Sequence, residues 1–128
     1  MPGSRTKARK AAADILFEID LRGNDVTEAL ETHAEDAEAP LRPYTEELVA
    51  GVVTNLDRLD AMIAAALADG WSLSRMPGVD RALARVAAYE IAFGGVDRNI
   101  AISEAVALAG QLSTDESPAF LNGLLASL

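Results

Sequence analysis

Cysteine is absent from this chain, which excludes disulfides and thiolate metal sites and suits a cytoplasmic protein. Histidine occurs once, as His33 beside an acidic stretch, so it reads as a solvated side chain; general acid–base catalysis needs a positioned partner. Lysine occurs only at Lys7 and Lys10. No uninterrupted apolar run reaches the roughly 18 residues of a membrane span, and the N-terminus is charged where an export signal is apolar. Aromatics make up 5% of a chain that is 50% apolar, so alanine and leucine must build the core, which points to an all-helical protein. P-loop, dinucleotide fingerprint, nucleophile elbow, metal-ligand spacing and solenoid repeat are all missing, so neither an enzyme nor a cofactor is expected.

The 128 residues suit one domain, and the net charge of −9 argues by itself against nucleic-acid binding. The distribution argues otherwise. Arg5, Lys7, Arg9 and Lys10 crowd the start with no acid among them, and every acid lies from Asp14 onward. A basic arm over 1–10 on an acidic body is one reading, and a merely solubilising start is the other. The helix dipole disfavours cations in a first turn, whereas phosphate suits that place.

Apolar spacing predicts a first helix over 5–21, with Ala12, Ile15, Leu16 and Ile19 inward and Gly23 as its cap. A short helix over 26–34 precedes an acidic, proline-containing loop over 35–43. A stripe from Leu48 to Leu67 predicts one helix or two, with a break at Asn55 or Asp57, and Gly51 marks a close helix crossing. The chain is organised around a central helix over 79–93. Its inner face carries Val79, Leu83 and Val86, and its outer face carries Asp80, Arg81 and Arg85 for a partner. Glu90, near the inner stripe, reads as a core-edge carboxylate accepting backbone N–H bonds. A helix over 102–112 has Glu104 in its first turn. The last begins with Ser117 as N-cap and Pro118 at N1, and buries Phe120, Leu124 and Leu128. Asn122 reads as a buried amide and Gly123 as a close contact.

Three blocks then resemble the NusB family of bacterial transcription antitermination factors. The first is Arg5, Lys7, Ala8 and Arg9 with Ile15, Leu16, Phe17 and Glu18. The second is the stretch 71–75 with 79–91, and the third is 102–109 with 115–125. Tyr44, Leu48, Val49, Gly51, Val52 and Asn55 lie between them in order. The resemblance implies an all-α fold of about seven helices in two packed helical bundles, forming a single RNA-binding domain over 1–128. It implies no catalysis. The implied partners are ribosomal protein NusE, single-stranded boxA RNA of ribosomal RNA operon leaders, and the antitermination complex on RNA polymerase, all in the cytoplasm and away from membranes. It carries RNA contacts to Arg5, Lys7, Arg9, Lys10, Glu116, Ser117 and Phe120, with Phe120 either core or base-stacking. Thr6 and Gly110 stand where relatives often carry a cation. NusE contacts fall on Asp80, with Arg75 and Arg81 beside it. Two alternatives are the NusB-like domain of a ribosomal RNA methyltransferase and a helical adaptor without RNA contact. An alanine-rich surface also leaves a homodimer open. Four cations on phosphates imply a log–log salt slope of roughly −3 for single-stranded RNA.

Overall fold

In a computed structural model, residues 3–36 and 40–128 are described. Part of the acidic loop expected over 35–43, and the first two residues of the basic arm, lie outside them. Among the described residues, seven α-helices and one short turn follow in order: α1 (Ser4–Arg22), α2 (Val26–Asp36), α3 (Pro43–Thr54), α4 (Leu56–Ala66), a 3-10 turn (Leu73–Arg75), α5 (Gly78–Ala92), α6 (Arg98–Leu112) and α7 (Ser117–Ala126). Helices α1 to α3 make one bundle and α4 to α7 the other, with α5 packed against both. None of the described helices is long and apolar enough to cross a membrane.

Local chemistry explains the boundaries. α1 stops at Gly23, whose φ of 67° is left-handed and whose N–H reaches the Ile19 carbonyl at 2.8 Å. The long apolar stripe over 48–67 divides at Asn55, as its sequence allowed. The Asn55 side chain donates to the Gly51 carbonyl at 2.8 Å and competes with the helix ladder. Gly51 permits the crossing of α3 over α5: a Cβ there would lie 2.3 Å from the Tyr89 ring.

α6 begins four residues before the expected start at 102. Asp97 is its N-cap and accepts from the N–H groups of Asn99 (2.9 Å) and Ile100 (3.4 Å). The periodic signal missed this turn because Arg98, Asn99 and Ile100 are all exposed. In α7 the buried face is Leu121, Leu124 and Leu125, with Phe120 and Leu128 only partly covered. Asn122 and Gly123 are exposed, correcting the buried-amide and close-contact readings. A one-residue shift in the start of the stripe accounts for both.

α5 has almost no free side. Asp80, Ala82, Leu83, Ala84, Val86, Ala87, Ala88 and Glu90 are all buried, and α1, α3, α4, α6 and α7 pack around it. Its small residues let five neighbours approach at once.

Candidate nucleic-acid interface

The residues expected to carry the cationic contacts occupy the first turns of α1, which is helical from Ser4. Arg5, Lys7 and Lys10 are exposed, and none makes an ion pair among the described residues. The Arg5 guanidinium lies 4.4 Å from the centroid of the Tyr44 ring, a cation–π distance. Thr6, in the place of a further cation, donates instead to Glu104 at 2.6 Å.

Arg9 turns the other way, into the interior, and differs in this from its exposed basic neighbours. Its side chain is 4% exposed. The Nε donates to both Glu90 oxygens (3.0 and 2.9 Å), and Nη1 donates to Glu104 at 2.8 Å. Tyr44 also donates its hydroxyl to Glu90. The Glu90 carboxylate is therefore held by side chains, where backbone N–H donors were expected. Burial works against the Arg9 charge. The hydrogen bond and charge of Glu90 outweigh it, with help from Tyr44 and Glu104, and hold the guanidinium above its ordinary value. Burial and the Glu90 carboxylate together push the Tyr44 phenol well up. Glu104 sits in the second turn of α6, because that helix starts early. It serves as the second carboxylate on Arg9 and has no role at the helix terminus.

The opposite end of α5 holds Asp80, which was assigned to an outward partner face. It is 2% exposed. Its two oxygens accept from the hydroxyls of Ser113 (2.5 Å) and Ser117 (2.9 Å), which lie at the turn between α6 and α7. The outward placement of Asp80 is thereby corrected, since the side chain faces this turn. Ser117 is also buried, at 1% exposure, with its hydroxyl turned to Asp80. It is the first helical residue of α7, and its hydroxyl accepts from the Thr114 N–H at 3.2 Å. Glu116 remains exposed on this turn. Phe120 is half-buried, with its ring centroid 5.3 Å from that of Trp71. Both readings of Phe120 keep a foothold, because one part of the ring meets the core and another meets the surface.

The charged flank of α5 is mostly spent on packing. Arg85 forks onto Asp60 at 2.8 and 2.9 Å. Arg81 bonds Asp20 at 2.7 Å and the carbonyls of Leu73 and Met76. Arg75 is exposed and donates to the Gly70 carbonyl at 2.8 Å. His33 is paired with Glu18 at 2.8 Å, so it is not simply solvated. No cluster of three metal-ligating side chains occurs among the described residues.

Comparison with known proteins bears on what this arrangement serves. The family model described as "NusB family" matches residues 6–128. The transcription antitermination protein NusB of Salinispora tropica is 54% identical over 127 residues, covering 95% of this chain and 92% of that protein. The solved structure of T. maritima NusB superposes with a TM-score of 0.85 at 30% identity, covering 98% of this chain and 90% of the other. A solved complex of antitermination factors NusB and NusE with double-stranded RNA shares the fold, with a TM-score of 0.86 at 24% identity over 96% of this chain and 93% of that one.

Proposed function

The chain belongs to the NusB family, and from that premise we propose that it is a transcription antitermination factor which, with ribosomal protein NusE, binds boxA RNA in ribosomal RNA operon leaders. It helps RNA polymerase read through terminators, working in the cytoplasm as a single domain and not as an enzyme. The observation that carries the RNA reading is the acid-free, exposed cationic end of α1. Arg5, Lys7 and Lys10 stand there without ion-pair partners among the described residues, in a chain whose net charge is −9. Most other arginines are engaged by carboxylates or carbonyls, and the exposed Arg42 and Arg58 stand apart from one another in the chain and form no comparable acid-free run.

With Arg9 withdrawn, three cations remain for phosphates. The log–log salt slope for single-stranded RNA is then about −2 rather than −3. An acidic body repels RNA and attracts a basic ribosomal protein, so NusE should raise RNA affinity by adding charge and contact area. Of the side chains assigned to that partner, Arg75 is the most accessible, Arg81 is largely occupied, and Asp80 acts only by shaping the turn behind it.

The test is binding of boxA RNA, with and without NusE, at two salt concentrations, for the wild type and for Arg5, Lys7 and Lys10 all replaced by alanine. The triple variant should lose most RNA affinity and nearly all salt dependence. Unchanged affinity would overturn the RNA reading in favour of a helical adaptor.

A further inference from the structure

The first turn of α1 has little local support. Gly3, at its N-cap, offers no side-chain acceptor to the first N–H groups, and the turn contains no acid. Arg5 and Lys7 add positive charge at the positive end of the helix dipole, which works against the turn. By local rules the helix should fray here, yet it is formed from Ser4.

Its support comes from three other helices. The Ala8 carbonyl accepts from the Thr45 hydroxyl of α3 at 3.2 Å, and Tyr44 of the same helix lies under the Arg5 guanidinium. Arg9 is fixed on Glu90 of α5. Glu104 of α6 reaches nearer to the start. Its Oε1 accepts from the Thr6 hydroxyl at 2.6 Å and from Arg9 Nη1 at 2.8 Å. One carboxylate oxygen thus ties two successive turns of α1 to α6. Lys7 and Lys10 each follow one of the anchored residues, so they stand about 100° further round the helix, where both are exposed. Glu104 itself is 24% exposed, and Arg9 keeps Glu90 without it, so the fold does not depend on Glu104 alone.

We infer that Glu104 is a positioning residue for RNA binding: through Thr6 and Arg9 it keeps formed the turns from which Arg5, Lys7 and Lys10 project. The inference rests on the RNA reading above and adds to it a residue that touches no RNA. Its sign runs against simple electrostatics. A carboxylate beside cations weakens their attraction for phosphate, so a Glu104 acting only as a charge would depress RNA affinity, and its removal would raise it. A Glu104 acting as an anchor raises affinity in spite of its charge.

The probe is a single-stranded boxA RNA oligonucleotide with a terminal dye. Its anisotropy is followed on the full chain with NusE present throughout, below the melting temperature of each variant. Glu104→Ala should weaken binding about tenfold, the contribution of one hydrogen bond to a charged acceptor. Glu104→Gln keeps an acceptor oxygen for Thr6 and Arg9 and sheds the charge, so it should bind at least as tightly as the wild type. Thr6→Val removes the donor at nearly constant shape; it should weaken binding too, and should add nothing further in the Glu104→Ala background. Tighter binding by both Glu104 variants overturns the inference in favour of charge alone. Wild-type affinity in Glu104→Ala, or equal losses in Glu104→Ala and Glu104→Gln, overturns it while the RNA reading stands. Should Glu104→Ala fail to fold, Thr6→Val decides alone, and wild-type affinity there overturns the inference. Full affinity after replacing Arg5, Lys7 and Lys10 by alanine overturns the RNA reading and this inference with it.

Discussion

The two ends of α5 each bury a carboxylate, but they hold it by different means. At one end Glu90 meets a guanidinium and a phenol, and Arg9 in turn meets Glu104. At the other, Asp80 meets only the hydroxyls of Ser113 and Ser117. The first arrangement neutralises a charge with a charge and joins α1, α3, α5 and α6. The second leaves the charge in place and spreads it over neutral donors within one turn. A buried ion pair is costly to break from one side, because the survivor is left charged in a poor solvent. Hydroxyl donors lose less when their acceptor goes, since they can turn to one another.

The difference yields an order of effects. Glu90→Ala leaves Arg9 with Glu104 as its one remaining carboxylate and takes the acceptor from the Tyr44 hydroxyl, and it should destabilise the protein most, by about 3 kcal/mol in urea denaturation. Asp80→Ala should cost about 1–3 kcal/mol and loosen the turn that bears Glu116 and Phe120, lowering RNA affinity as well. If the two variants prove equally damaging, the distinction between the ends of α5 fails. Tyr44→Phe should have the smallest effect at neutral pH, about 1 kcal/mol, and sharpens the comparison by its pH dependence. The Tyr44 pKa is raised in the folded state above its ordinary 10.0. The stabilisation it brings is thus full below that value and is lost as pH rises, because the unfolded chain releases its proton first. Above pH 10 the wild type should lose stability more steeply than Tyr44→Phe, as read by denaturation between pH 8 and 11.

Much of the fold was legible because it depends on local rules. The break at Asn55, the stop at Gly23 and the crossing at Gly51 each follow from one residue type in one place. The site was read less well where periodicity was set aside for charge. Arg9 lies three residues before Ala12 and seven before Leu16, on the same stripe that buries α1, and Glu90 lies four after Val86 on the stripe of α5. Two opposite charges on two inward stripes signal a buried pair, and grouping Arg9 with its basic neighbours hid it. Asp80 was misplaced for a different reason. A polar face implies solvent only if a helix has an outer side, and α5, with Ala82, Ala84, Ala87 and Ala88 around its girth, has scarcely one. Which elements surround a helix is a tertiary fact that its own sequence records only faintly.

The early start of α1 has a thermodynamic consequence. A floppy basic tail would give up about 1–2 kcal/mol of backbone entropy for each residue that it ordered on a ligand. Residues 4–10 already form helical turns, fastened underneath by Arg9, so that ordering is complete before any ligand arrives. The three exposed cations then project from turns whose backbone order is already set.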